Sequence, residues 1–266
     1  MTSVSDRAAD RAAARRVTPL RPTCAQPHAC SRDVRLAVLH RTPFFADLDA
    51  DEIAEVDERA VSLSWAAGDA VYNEGEQAGH LYVAAHGRAK SYRDTEDGRT
   101  VVVDLVAPGD YFGGFDSLGS PEYTETVEAI DTLCALRIAA DDFRDLLVRY
   151  PQVALRVVDH LSGQLGDART SVMHQSTRTV TERVAATLLR IADKFGEARS
   201  GFGESGEAGT LLQLPLTRAD LAGMTGSTPE SVSRVMSRLR REGIIDSGRR
   251  WTAVLDRDKL AEIAGD

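Results

Sequence analysis

The 266-residue chain has no apolar run long enough to cross a membrane. Its N-terminus lacks the charged, then apolar, then small-residue pattern of an export signal. Three cysteines are too few for a disulfide framework and odd in number. Together these absences predict a cytoplasmic protein with no membrane partner. No Ser/His/Asp arrangement and no phosphate loop suggests an enzyme. His80 and His86 lie six positions apart beside a turn at Gly87, without the H-x-H pattern of a metal oxygenase built on a β-barrel. Gly201-Phe202-Gly203-Glu204-Ser205-Gly206 formally satisfies G-x-G-x-x-G. A dinucleotide site would need a preceding strand and a following helix. Here the Gly-, Ser- and Glu-rich stretch from Gly196 to Gly209 follows helical sequence and reads as a flexible loop. A basic surplus is also missing: the net charge is −9, which excludes general coating of polyanions.

What is present is concentrated near the C-terminus, where Pro215 to Thr252 holds seven Arg against four acidic residues. Thr217 is an N-cap candidate, and Asp220 three residues on can reach back to complete a capping box. Leu221 and Met224 share a face of the short helix that follows. Gly226 supplies a turn that calls for positive φ. Thr228 caps a second helix, with Pro229 at its favoured first position. Val232, Val235, Met236 and Leu239 recur at helical spacing and face inward. Glu230, Ser233, Arg234, Arg238 and Arg241 remain on the opposite side. This pattern is a helix-turn-helix whose second helix enters the major groove of double-stranded DNA. Arg234 suits the O6 and N7 of guanine, Glu230 a cytosine amine, and Ser233 either role. Thr217, Arg218, Ser227, Thr228, Arg238 and Arg249 complete the candidate DNA-binding set, with arginines beyond the reading turn suited to phosphates.

Taken from its start, residues 1–20 are rich in Ala, Arg and Asp and read as a disordered tail. Residues 21–138 read as a sensory domain. Cys24 and Cys30, with His28 between them, form a loop of soft ligands that suits zinc or an iron–sulfur cluster. Short helices are expected from Leu36 to Val56. From about Ala60 to Ile138 the period changes to two, with frequent turn signals such as Gly68-Asp69 and Pro108-Gly109-Asp110. Many short strands of this kind predict an antiparallel barrel or roll. Residues 139–178 read as helical. Pro151 opens a long helix on which Ala154, Val158, Leu161, Leu165, Ala168 and Val172 make a heptad seam, and such a seam calls for a partner. Residues 179–266 form the DNA-binding domain, closed by a returning wing strand from Arg249 to Leu255 and a last helix from Lys259 to Ile263.

The stretch Glu230-x-x-Ser233-Arg234 resembles the base-reading E-x-x-S-R pattern of the cyclic-AMP receptor protein and fumarate/nitrate-reduction regulator (CRP/FNR) family. G-D-x-V-Y-x-E-G-E at Gly68, L-Y-V-x-x-x-G at Leu81 and P-G-D-Y-F-G at Pro108 resemble that family's cyclic-nucleotide-binding β-roll. The resemblance covers about Cys24 to the C-terminus. It implies an α+β fold: an N-terminal antiparallel β-roll, a long dimerisation helix and a C-terminal winged helix-turn-helix. It implies a homodimeric transcription regulator, and the Ser-Arg variant resembles the branch that reads TTGAT half-sites. Nucleotide-binding members carry a Glu where Gly114 stands and an Arg-Ser or Arg-Thr pair where Tyr123-Thr124 stands. Glu122 and Glu125 flank that pair and would repel a cyclic phosphate, so cyclic AMP is not expected.

Phe115 to Ser120 and Cys134 instead resemble the oxygen-sensing FNR branch, which holds a 4Fe-4S cluster. Cys24 and Cys30 match the last two cysteines of that branch's N-terminal C-x2-C-x5-C, while Arg21 replaces the first. Cys24, Cys30 and Cys134 are thus the implied ligands. The fourth is left open between His28, a carboxylate elsewhere and a small external thiol. The implied signal is oxygen, nitric oxide or redox state; a haem ligand or another small effector is the alternative. Phe115–Ser120 would be a contact for RNA polymerase. Gain or loss of the cluster would turn the DNA-binding domains about Thr177–Thr179.

Overall fold

The computed structural model describes residues 30–265, except 97, 99, 115–120, 203–206 and 249–250. The proposed N-terminal tail, Cys24, His28, the Phe115–Ser120 loop, Arg249 and Arg250 therefore lie outside the described residues.

Two helices lead in, α1 (Arg32–Arg41) and α2 (Ala50–Glu58), with a 3-10 turn at Pro43–Phe45 between them. Asp49 starts α2 with a full capping box to Glu52. Eight strands follow: β1 (Ala60–Trp65), β2 (Ala70–Tyr72), β3 (His80–His86), β4 (Ala89–Asp94), β5 (Thr100–Val106), β6 (Tyr111–Phe112), β7 (Thr126–Ala129) and β8 (Leu133–Ala139). They form two antiparallel four-stranded sheets, ordered β1-β8-β3-β6 and β2-β7-β4-β5. This is the expected roll.

The expected period of two breaks down in β3 and β8. Leu81 to Ala85 and Leu133 to Leu136 are buried without interruption. Tyr82, Ala84, Leu133 and Ala135 face the roll interior, with Tyr72, Phe112, Tyr123 and Val127. Leu81, Val83, Cys134 and Leu136 face the other way, against Phe44, Phe45, Phe143 and Val153. A strand covered on both faces has no need of alternating polarity.

Next come α3 (Ala140–Arg149) and α4 (Pro151–Thr177), so the helical segment is broken once, at Tyr150. Val153 and Val157 bury the first two turns of α4 against the roll. Beyond them α4 stands clear, with Val158, Leu161, Leu165 and Val172 between 40 and 66% exposed. Arg178 is extended and ends the helix. Thr179 then caps α5 (Val180–Phe195) through a capping box with Glu182.

The C-terminal region contains β9 (Glu197–Phe202), β10 (Glu207–Leu212), α6 (Arg218–Thr225), α7 (Pro229–Arg241), β11 (Ile245–Gly248), β12 (Trp251–Val254) and α8 (Arg257–Ala264). Its sheet order is β11-β12-β10-β9. This corrects the expectation of a flexible loop from Gly196 to Gly209: β9 and β10 pair antiparallel from Glu197↔Leu211 to Glu207↔Phe202, with a register shift between Glu207 and Ala208. β10 ends at Leu212, and residues 213–216 lead into α6 outside any strand.

The two halves share apolar core. Val102 and Leu105 of β5 and Ile130 belong to the same buried cluster as Leu188, Leu221, Val232 and Met236. Gly223 of α6 lies so close to β5 that a Cβ there would meet Val101 Cα at 3.1 Å. Two polar links join the same faces. Lys194 pairs with Asp110 at 2.7 Å, and Arg88 donates to the Gln213 carbonyl at 2.8 Å.

Candidate nucleic-acid interface

Local sequence builds the reading unit as expected. The Thr217 hydroxyl accepts from the Asp220 N–H at 3.1 Å, and the Asp220 carboxylate accepts from the Thr217 N–H at 2.7 Å. Gly226 adopts φ +55°, the left-handed conformation that closes α6 and permits the sharp turn. Thr228 accepts from the Ser231 N–H, and Pro229 occupies the first turn of α7. Val232, Val235, Met236 and Leu239 are buried, which fixes the rotation of α7 about its axis.

That rotation leaves Glu230 and Arg234 exposed and Ser233 half-buried on the outer face. Arg234 Nη2 donates to Ser231 Oγ at 3.2 Å. The Glu230 carboxyl is held below the usual glutamate range, first by its own backbone N–H and then by the Thr228 hydroxyl. It therefore stays an acceptor at neutral pH. The face presents one acceptor, one hydroxyl and one guanidinium within a turn and a half of helix. That donor and acceptor set suits base edges in a major groove.

The other expected contacts are distributed unevenly. Thr217 and Thr228 are exposed at the two helix starts, and the Ser227 hydroxyl is shared with Thr225 at 2.7 Å. Arg218 is half-buried and lines a cavity of about 250 Å³ with Leu188, Leu221 and Trp251. Burial lowers its pKa. Arg238 and Arg240 reach back to Glu242 and Asp246, at 3.4 and 3.3 Å. The exposed Arg238–Glu242 pair is of the weak kind, so a phosphate can compete for that guanidinium, whereas Arg240 pairs with a largely covered Asp246. Arg249 lies outside the described residues.

Sequence reasoning missed Arg183. Its guanidinium donates to the carbonyls of Gln175 and Arg178 at 3.0 and 2.9 Å and of Gly226 at 3.4 Å. It thus ties the end of α4 to the turn of the reading motif. An arginine on the polar face of an apolar helix carries no signal for this role. Sequence reasoning also missed Leu155 and Met173, which extend the exposed apolar face of α4 at 68 and 55% exposure.

The proposed metal ligands are placed in part. Cys134 is fully buried and Cys30 half-buried, and both border the apolar cluster beneath α1 and α3. The Cys30 N–H donates to Ser62 Oγ at 3.1 Å. Ser64, on the same face of β1, sits directly opposite Cys134. Among the described residues, no three His, Cys, Asp or Glu side chains converge as a metal ion would require.

In the roll interior, Tyr72 stacks on Tyr123 at 3.7 Å, and Tyr82 stacks on Phe112 at 5.2 Å. The Tyr123 hydroxyl donates to the His80 carbonyl at 3.3 Å. A Cβ at Gly114 would lie 2.4 Å from Leu81 Cβ. A longer side chain therefore cannot stand there without moving β3.

Comparison with known proteins matches residues 62–150 to a cyclic nucleotide-binding domain model and residues 182–263 to a Crp-like helix-turn-helix domain model. The fumarate and nitrate reduction regulatory protein of Escherichia coli strain K12 is 25% identical over 217 residues, covering 82% of this chain and 83% of that protein. Among solved structures, FixK2 from Bradyrhizobium japonicum is 27% identical with a TM-score of 0.66, covering 77% of this chain and 96% of that one. A CRP/FNR-family transcriptional regulator from Thermus thermophilus is 25% identical with a TM-score of 0.62, covering 77 and 99%.

Proposed function

Since the chain is a DNA-binding transcription regulator of the CRP/FNR family, we propose that it acts as a homodimer on TTGAT-type palindromes in response to oxygen, nitric oxide or redox state. The observation that carries the DNA reading is the outer face of α7, where Glu230, Ser233 and Arg234 stand together over a fully buried Val232-Met236-Leu239 base. Two such helices, paired across the exposed seam of α4, would address half-sites about one helical turn apart. The apolar seam itself supports the dimer: a row of large side chains at heptad spacing is an unfavourable surface to leave in water.

For the signal, two observations support an iron–sulfur cluster. Cys30 and Cys134 border one apolar cluster at the outer sheet of the roll, and the chain leading out of Cys30 is anchored there through Ser62. These two thiols would hold one side of a cluster, with Cys24 and one of the open fourth ligands completing it. Bound there, the cluster would supply a redox-labile crosslink between the N-terminal segment and β8. The protein's own part is to keep Cys134 dry and rigid: strands on both sides and Phe44, Phe45 and Phe143 above exclude water. The same interior argues against a cyclic nucleotide. Stacked tyrosines fill the roll, and position 114 has no room for a carboxylate.

A second reading, a regulator that takes a different small effector, is favoured by one feature. A cleft of about 800 Å³ separates the roll wall at Lys90, Val101 and Glu128 from the motif at Asp220 and Glu230. That volume lies within the range of small-molecule pockets.

Iron, sulfide and visible absorption on protein purified without oxygen test the first reading. Stoichiometric iron and sulfide with absorption that bleaches in air are expected. Colourless, iron-free protein that binds the palindrome with unchanged affinity in air and without it would remove the cluster and favour the cleft.

A further inference from the structure

We infer that the hinge between α4 and α5 carries a phosphate-binding pocket, and that a backbone phosphate flanking the half-site occupies it when the protein is on DNA. The inference rests on the DNA-binding reading and adds a contact outside the helix-turn-helix. The pocket measures about 160 Å³ and lies where three elements meet. His174 and Gln175 come from the last turns of α4, Arg178 from the hinge, Arg183 and Arg190 from α5, and Thr225 from the end of α6. None of its described lining residues is acidic. On a chain of net charge −9 this is a local excess of cationic groups. Glu182, the acid closest in sequence to Arg183, is turned away, its carboxylate accepting from the Thr179 N–H at 2.6 Å.

The charge of Arg183 is fixed at the pocket wall, because its terminal nitrogens donate to the main-chain carbonyls of Gln175, Arg178 and Gly226. An anion suits this lining, where a neutral ligand would leave the surrounding guanidiniums uncompensated. The pocket is smaller than the roughly 300–1,000 Å³ of a small-molecule site, so a phosphate group suits it better than a whole nucleotide. Its position supplies the source. Thr225 is three residues from the Thr228 cap of α7, so the pocket sits beside the helix that enters the groove. Phosphate contacts at such flanks fix register and orientation.

The test uses the full-length protein carrying both Arg178→Gln and Arg190→Gln, leaving Arg183 in place. Binding to a palindromic duplex and to a scrambled duplex is followed by fluorescence anisotropy across a salt series. Each lost phosphate contact should make the slope of log K against log salt shallower by about one. Affinity should fall by a similar factor on both duplexes, because a phosphate contact reads no sequence. The Arg178→Lys/Arg190→Lys protein keeps the charge and should recover most of the slope, which separates lost charge from lost fold. A second arm measures thermal stability in inorganic phosphate against chloride at equal ionic strength. Stabilisation by phosphate that the Gln variant loses, with an unchanged DNA slope, would keep the pocket but assign it to a free phosphate. This arm stands even if the wild type fails to bind DNA. An unchanged slope together with no phosphate effect would overturn the inference.

Discussion

Arg234 donates to Ser231 Oγ at 3.2 Å, a neutral contact that the two acceptors of a guanine can replace. Arg234→Ala should therefore cost about 1–3 kcal/mol at the cognate site and relax the choice at one base pair. Competition between point-mutated and random duplexes checks this; equal loss on random DNA would contradict it. Gly87 is decisive in a different way. It holds φ +81°, and a Cβ there would lie 2.1 Å from the Thr132 carbonyl oxygen. Gly87→Ala should destabilise the roll by several kcal/mol, from strain of about 1–3 kcal/mol plus the clash, read as a lowered thermal midpoint. Gly226, Thr217, Thr228 and Pro229 were legible because capping and turn chemistry are local, and the structure places each as read. Arg183 and the half-buried Arg218 were not, because their surroundings are assembled from chain segments distant in sequence.

Among the elements, α4 was the most readable: Pro151 opens it, and the seam at Val158, Leu161, Leu165, Ala168 and Val172 is exposed along its free length. Leu165→Asp should place a carboxylate in a dimer seam and give monomers in sedimentation at concentrations where the parent is dimeric. The roll should keep its fold, since Leu165 lies beyond the last buried residue of α4, Val157. Thr228→Ala removes an N-cap and should cost about 1 kcal/mol of stability, with weaker DNA binding from a frayed first turn of α7. The β9–β10 hairpin was the least readable element. Most of β9 is exposed, so it shows no apolar alternation, and its strands are fixed by pairing rather than burial. A Gly- and Ser-rich composition then mimics a loop. The opposite failure occurs in β3 and β8, whose double burial erased the alternation there.

Over the whole molecule, the division into roll, helix and DNA-binding region was legible from period changes, but the contact between roll and reading motif was not. Val102 and Leu105 read as ordinary strand residues; only the fold shows that they pack among Leu221, Val232 and Met236. Leu105→Ala should cost about 2–5 kcal/mol and weaken both halves together. The chain's two tryptophans allow a direct check, since Trp65 reports from β1 and Trp251 from β12. Urea titrations of proteins retaining one tryptophan or the other should give coincident midpoints, both lowered by Leu105→Ala. Separate midpoints would mean that the common core does not couple the halves.

That common core also bears on how such regulators can be recombined. A cut at the hinge is convenient in sequence, but it would bare Leu221 and Ala222 on one fragment and Val102, Leu105 and Ile130 on the other. A sensory roll borrowed from another regulator would have to bring its own apolar match for α6, and space opposite Gly223. Inheritance of the two halves is thus tied at a few β5 positions, and exchange of either half alone selects first for repair of that seam.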